Sequence, residues 1–246
     1  MTPLEINVQG VGTAIRRAER AILVLKAQSQ YLPTPEEASA VVTLTANNLR
    51  DAIAPYCPQD EETGKTKENA AISHYSMSTL DTSSHRDRRS TASANTQDEP
   101  AKYDTTYFAR ADFNIKFSDF SALDKLATQF SRMENVRIER ITWALTDATL
   151  QSIEGGARKR AAQNALQRAR DYAEVFADLS TEGATTKVRA VDVRESQYYQ
   201  QSTRPQLHYG KRQRLEGMVL DKAELQFEPE DVRLQVKVDG KFVVEG

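Results

Sequence analysis

The stretch Asn7-Val8-Gln9-Gly10-Val11-Gly12 opens an alternation of apolar and polar residues, and its counterpart, Val232 to Val244, lies at the other end of the chain. Successive side chains of a β-strand point to opposite faces, so both stretches predict strands with one buried face. Glycine weakens a strand and often marks an irregularity in it. Gly10 and Gly12 therefore predict a bulge or bend in the first strand. We expect the first and last strands to belong to the same globular unit.

Helical patterns occupy three segments between these strands. Threonine followed by proline and two glutamates, Thr34-Pro35-Glu36-Glu37, is a helix start, and apolar residues recur at helical spacing as far as Ile53. Ser118-Asp119 begins a second, shorter helix. The third and longest is predicted over 147–179, where alanines recur every four residues and allow close packing. Gly155-Gly156 inside it predicts a break or a close contact.

Further strands and two irregular segments complete the pattern. Strands are predicted at 20–29, 70–82, 107–117, 136–145 and 188–193, the fourth with a bulge near Glu139 and Arg140. Residues 83–102 are polar, with too little apolar surface to offset the entropy of ordering, and predict a disordered loop. Residues 196–217 carry net positive charge and predict a flexible loop.

Composition places the chain among soluble globular proteins. Its 246 residues are 39% hydrophobic and 28% charged, with a net charge of −2, which gives no overall attraction to nucleic acid or to anionic membranes. The single cysteine, Cys57, excludes an internal disulfide. The first residues lack the pattern of a secretory signal, and no apolar run reaches membrane-spanning length. We therefore expect an intracellular, cytoplasmic protein without membrane contact.

The order of these elements favours one fold class. Helices follow groups of strands instead of alternating with single ones, which is typical of an α+β fold, mainly antiparallel sheet packed against helices. We expect residues 1–246 to form a single domain.

Several segments together resemble a known family. They are Val8 to Gly12, Phe113 to Phe130, Ile141 to Asp147, Ala157 to Leu179, and Pro229 to Val244. In order and spacing they are similar to the SIMPL-domain proteins, named after a signalling molecule that associates with a pelle-like kinase and represented in bacteria by periplasmic and outer-membrane proteins. The resemblance implies a repeated β/α unit, a tendency to form oligomers, some of them rings, and roles in stress response or signalling. It implies no defined reaction.

Residues with catalytic or metal-binding potential are few and scattered. Gly10 and Gly12 lack the following helix and the Gly-Lys-Ser/Thr signature of a phosphate loop. The three histidines, His74, His85 and His208, have no zinc-ligand spacing with one another or with Cys57. We expect no catalytic residue, no cofactor and no metal, although an enzyme with an unfamiliar site stays open because spacing in sequence does not reveal convergence in space.

A basic, tyrosine-containing stretch is the candidate partner-binding surface. It comprises Tyr198, Tyr199, Arg204, Tyr209, Lys211, Arg212 and Arg214. Cations interleaved with aromatic rings are what single-stranded nucleic acid requires for phosphate contact and base stacking. A second basic cluster, Arg158-Lys159-Arg160 with Arg168 and Arg170, lies among carboxylates and is better explained as a solvated helix face.

The sequence is compatible with two functions. The first is a non-enzymatic interaction or scaffold protein that self-associates as a homo-oligomer, binds an unknown protein partner and acts in signalling or stress response. The alternative is binding of nucleic acid or an acidic partner through the basic, tyrosine-containing loop at 196–217.

Overall fold

The computed structural model describes residues 3–60, 63–67, 69–88, 103–202 and 225–245. These residues form an α+β fold, as the sequence predicts, with eight strands in antiparallel sheets and four α-helices. The strands are β1 Glu5–Arg17, β2 Arg20–Gln28, β3 Ile72–Met77, β4 Asp81–Arg88, β5 Tyr103–Phe117, β6 Val136–Ala144, β7 Val188–Ser202 and β8 Asp231–Val244. The helices are α1 Pro35–Ile53, α2 Phe120–Ser131, α3 Asp147–Phe176 and α4 Thr181–Lys187, and a 3-10 turn, Ala54–Tyr56, follows α1.

The chain divides into two compact units. The first unit comprises Met1–Glu19, Trp143–Gly210 and Pro229–Gly246, and the second comprises Arg20–Thr142 and Lys211–Glu228. The expectation of a single domain over residues 1–246 stays a prediction. The division into units arises because β1 and β2, although consecutive in the chain, pair into different sheets.

The first unit is a three-stranded sheet in the order β1-β8-β7, packed against α3. β1 and β8 pair antiparallel from Glu5↔Val243 to Arg17↔Asp231, which confirms that the first and last strands share one unit. The register is continuous through Gly10 and Gly12, so of the predicted bulge or bend at these glycines the bulge is wrong.

The presence of glycine at these two positions is explained instead by the close approach of α3 to β1. A methyl group at Gly10 would lie 2.5 Å from the amide nitrogen and 2.7 Å from the Cβ of Ala165, and closer still to the carbonyl oxygen of Ala161. At Gly12 it would lie 2.5 Å from the amide nitrogen of Ala161 and closer still to the carbonyl oxygen of Ala157. Hydrogen is the only side chain that fits between this strand and the helix backbone.

Alanines provide the matching surface of α3. Five of them, spaced by four residues, are buried: Ala157, Ala161, Ala165, Ala169 and Ala173. Larger side chains fill the space towards the end of the helix, where Ile6, Val8, Phe242 and Val244 form a core cluster with the last three of these alanines. Gly155 and Gly156 lie inside α3 without the predicted break, and no described atom would clash with a methyl group at either position.

The second unit is built around β5, the longest strand of its sheet. The order is β3-β5-β2-β6, and β4 also pairs with β5. Buried residues alternate along β5 with exposed or half-buried polar ones, so the strand has one buried face and one solvent-facing side, as its alternation predicts. The buried face is covered by α1 and α2, which begin at the predicted caps Thr34 and Asp119.

Both predicted loops begin too early. Residues 83–88 belong to β4, which pairs with β5 from Asp81↔Arg110 to Arg88↔Tyr103, and 89–102 lie outside the described residues. Residues 196–202 belong to β7, and 203–217 lie outside the described residues. In both cases the strand is held by backbone hydrogen bonds to its neighbour in the sheet, which composition does not reveal. The strand predicted at 70–82 is in fact two strands, β3 and β4, while the bulge near Glu139 and Arg140 stays a prediction.

Substitution of glycine by alanine should have opposite effects on stability in β1 and in α3. Gly10→Ala places a methyl group against helix backbone that cannot move aside, so we expect the free energy of unfolding to fall by about 1–3 kcal/mol. Gly155→Ala is the matched control, because its methyl group meets nothing and removes the helix penalty of glycine, so stability should rise by about 1 kcal/mol. Urea unfolding measures both. Equal effects of the two variants would contradict the close-approach explanation.

Candidate functional site

The sheet of the first unit has two edges, and the helix closes part of one of them. At the β1 edge, the side-chain oxygen Oδ1 of Asn164 accepts a hydrogen bond from the amide of Val11 at 3.1 Å. One turn further along α3, Arg168 donates to the carbonyl oxygen of Gln9 at 2.6 Å. Two backbone groups that a second chain would need are thereby already paired.

The other edge is β7, whose second half is an uncharged run, Ser196-Gln197-Tyr198-Tyr199-Gln200-Gln201-Ser202. Its backbone pairs with β8 from Gln197↔Lys237 to Ser202↔Val232, and β7 is the last strand of the sheet that the described residues form. The run has no proline and no charged side chain, two of the devices by which edge strands discourage pairing with another chain.

The first half of β7 is charged, but its charges are paired within the first unit. Arg194 contacts Asp192 at 2.8 Å, and Arg189 contacts Glu245 at 3.5 Å. Glu195 contacts Arg158 of α3 at 2.8 Å. Beside these pairs, Val191 and Val193 are 59% and 53% exposed. The strand therefore presents apolar side chains together with compensated charges.

Asp239 of β8 joins three strands on the solvent-facing side of this sheet. Gln9 of β1 donates to its carboxylate at 2.9 Å, and Ser196 of β7 also donates to it. These hydrogen bonds, Gln9's first and then Ser196's, hold the pKa of Asp239 below its ordinary value because they stabilise the ionised form. In the second unit, the hydrogen bond from Lys26 likewise lowers the pKa of Glu139.

The second unit contains a cleft of about 820 Å³ beside the outer edge of β3. We call it the β3 cleft. Its walls come from the end of α1, the turn that follows and β3 itself. The lining residues are Arg50, Cys57, Gln59, Gly64, Lys65, Thr66, Ser73, His74, Tyr75, Ser76 and Met77.

Cys57 and His74 both line this cleft. The Cys57 thiol is buried, with its Sγ 3.6 Å from the hydroxyl of Thr66. His74 is exposed on β3, opposite Lys116 of β5. Of the other histidines, His85 lies near the ring of Tyr31, and His208 is outside the described residues.

Metal ligands do not converge in the part of the chain that the structure describes. No group of three or more histidine, cysteine, aspartate or glutamate side chains there could hold an ion. Likewise, no described helix is both long and apolar enough to cross a membrane.

The predicted partner-binding residues are only partly placed. Tyr198 and Tyr199 lie in β7, whereas the rest are outside the described residues: Arg204, Tyr209, Lys211, Arg212 and Arg214. The structure adds two features that the sequence reading missed. The edge position of β7 had a signal, the uncharged run 196–202, but the convergence of Arg50 and Lys65 on one cleft had none, because it depends on how the turn folds back.

Antiparallel sheets covered by helices on one face define this chain as an α+β protein. The family model described as "SIMPL: Protein of unknown function (DUF541)" matches residues 6–242. The chain belongs to the SIMPL family, and the resemblance seen in the sequence is confirmed. Comparison with curated proteins gives no match.

The hydrogen bonds to Asp239 predict how its titration responds to substitution. Removing the donor with Gln9→Ala should raise the pKa of Asp239 towards its ordinary value, leaving the part due to Ser196. Because the folded-state pKa is depressed, the carboxylate stabilises the fold above the ordinary carboxyl range, and this contribution is lost as the pH falls through the folded-state pKa. NMR titration of the side-chain carboxyl measures the shift. Gln163→Ala on α3 is the control and should leave the pKa of Asp239 unchanged.

Proposed function

We propose that this protein is a non-enzymatic interaction protein that self-associates, with β7 of one chain pairing with β7 of a second copy. The observation that carries the proposal is the position of the uncharged run 196–202 on an edge strand. An edge strand offers a row of backbone donors and acceptors to another strand. Addition of a strand from a second chain uses those groups for affinity.

The contrast between the two edges of the sheet supports the choice of β7. β1 has backbone groups occupied by Asn164 and Arg168, which is one way in which proteins protect an edge. β7 carries register shifts near Val191 and Ser196, which leave 197–202 as its longest regular stretch. This is the stretch without charge, so a second copy meets no electrostatic repulsion there.

The wider role follows the family resemblance. An assembled scaffold would act in signalling or stress response by presenting repeated copies of one surface to a protein partner. A cytoplasmic location stays a prediction. Binding of nucleic acid or an acidic partner by the segment around Arg204 and Lys211 also stays a prediction, since those residues lie outside the described ones.

Charge on the edge of β7 should prevent self-association. In Gln200→Lys/Gln201→Lys, each chain brings two cations to the shared edge, where like charges repel. We expect the wild-type protein to have at least twice the mass of one chain at micromolar concentration. The dissociation constant of the double variant should rise at least ~10-fold. Size-exclusion chromatography with light scattering measures both.

The matched control places the same substitution on an exposed helix position. Gln163→Lys adds a cation to α3 and should leave the assembly unchanged. Circular dichroism verifies that all variants are folded. A monomeric wild-type protein would refute self-association, and an assembled double variant would show that β7 is not the interface.

A further inference from the structure

A second cleft, in the first unit, carries an inference separate from self-association. It has a volume of about 550 Å³ and lies between β1 and the first half of α3. The lining residues are Thr13, Ala14, Ile15, Arg16, Ser152, Ile153, Gly156 and Arg160. None of the described residues of β8 or β7 lines it, so it lies at the outer edge of β1, and we call it the β1 cleft. Both walls belong to stretches that the structure describes without a gap, 3–60 and 103–202.

The backbone of β1 directs two amide groups towards this edge. In an antiparallel pair, both backbone groups of a residue point to the same side. The amide of Val11 points away from β8, because it donates to Asn164 of α3. Thr13 and Ile15 follow in steps of two, so their amides point outward as well. Among the described residues, neither amide has a hydrogen-bond partner.

Two guanidinium groups lie in the same cleft. Nη1 of Arg16 donates to the carbonyl oxygen of Ile15 at 3.0 Å, so this guanidinium lies along the outer edge of β1. The guanidinium of Arg160 folds back over Gly156, where a methyl group would lie 3.8 Å from Nη1 and 3.9 Å from Nη2. Within the described part of the chain, neither arginine forms an ion pair. The cleft therefore offers hydrogen-bond donors from both of its walls.

The carboxylates of the neighbouring elements are bound elsewhere or lie on other sides. Both oxygens of Glu19 accept hydrogen bonds from amide and hydroxyl groups at the start of α3. Glu154 pairs with Arg158, which also reaches β7 and so faces the opposite edge of the sheet. Asp147 lies on a different side of α3 from the cleft residues, and Asp231 belongs to β8, opposite the last residue of β1. The lining residues themselves include two cations and no carboxylate.

Gly156 leaves the helix wall of the cleft without a side chain. Glycine weakens a helix, and in β1 its presence is explained by the close approach of α3. At Gly156 a methyl group would meet only the guanidinium of Arg160, so packing among the described residues does not require glycine there. A ligand held close to the helix backbone, beside Arg160, accounts for it.

We propose that the β1 cleft binds the phosphate group of a small phosphorylated molecule, held by Arg16, Arg160 and the amides of Thr13 and Ile15. Guanidinium and amide N–H groups only donate, which suits an anion, and the edge of a sheet is a known form of anion site. A phosphate monoester has its second pKa at about 6 and carries two negative charges above it, which match the two guanidinium groups. The volume lies within the range of about 300–1,000 Å³ found for small-molecule sites, so the cleft has room for more than the phosphate.

NMR titration of the full, isotope-labelled chain with phenyl phosphate tests the proposal at pH 7.5. We expect saturable chemical-shift changes at the amides of Thr13, Ile15 and Gly156. Benzoate has a similar ring but a single charge, and inorganic phosphate has the charge without the ring, so both should bind more weakly. At about 0.1 M salt, charges more than about 10 Å apart are largely screened, so general attraction of anions contributes little.

Substitutions in the two walls locate the site. Arg16→Gln and Arg160→Gln should each weaken binding of phenyl phosphate about tenfold, the loss expected for one hydrogen bond to a charged group. Lys159→Gln is the matched control, because it removes the same charge from the next exposed position of α3. Gly156→Ala should also weaken binding, since its methyl group enters the cleft, whereas Gly155→Ala should leave binding unchanged. Circular dichroism verifies that all variants are folded.

Three results would overturn the proposal. They are absence of saturable shifts at these amides, unchanged affinity in both arginine variants, and equal affinity for benzoate and phenyl phosphate. Equal affinity for inorganic phosphate would overturn the organic ligand in favour of the free ion. The β7 variant Gln200→Lys/Gln201→Lys should bind phenyl phosphate normally, so failure of self-association and failure of this site are distinguishable.

Discussion

The first unit depends on the contact between the β1 backbone at Gly10 and Gly12 and the alanines of α3. A helix normally packs on a sheet through side chains of both, but at Gly10 and Gly12 the strand has no Cβ atoms and the facing side chains of α3 are single methyl groups. Backbone there packs almost directly against backbone through many short-range dispersion contacts, while larger side chains such as Val8 and Phe242 pack towards the end of the helix. The same proximity allows Asn164 and Arg168 to reach the edge of β1 and occupy its hydrogen-bonding groups. The close packing of β1 on α3 thus stabilises the unit and also makes the two edges of its sheet different.

The difference between the two edges of this sheet is what supports the proposed function. A three-stranded sheet cannot avoid having two edges, and proteins protect edges by covering them, charging them or interrupting them. In this chain the helix covers part of β1, and ion pairs with register shifts mark the first half of β7. The second half of β7 has none of the charged residues that serve this purpose. Its backbone groups on the side away from β8 are therefore the ones that the proposed pairing with a second copy would use.

Sequence patterns predicted the elements well wherever one face of an element is buried. The alternation in β1, β5 and β8 and the caps Thr34 and Asp119 located their elements correctly, because burial and capping act on neighbouring residues. The patterns failed for β4 and the second half of β7, which are strands stabilised by backbone partners distant in the sequence. They also misassigned Gly10 and Gly12, since a bulge and a close approach both select glycine. Which of the two applies depends on α3, about 150 residues away in the sequence.

The candidate sites also differ in whether they depend on neighbouring residues or on residues that only the fold brings together. The uncharged run 196–202 is local and can be read from the sequence, although its edge position cannot. The β3 cleft cannot be read from the sequence, because its residues come from separate elements. Arg50 belongs to the last turn of α1, whereas Lys65 belongs to the turn that contains Asp60 and Gly64. Neither residue is unusual alone, and only the fold places both in the lining of one cleft. Composition pointed instead to the basic segment after 203, because cations that are neighbours in the sequence can be read directly, whereas cations that meet only through the fold cannot.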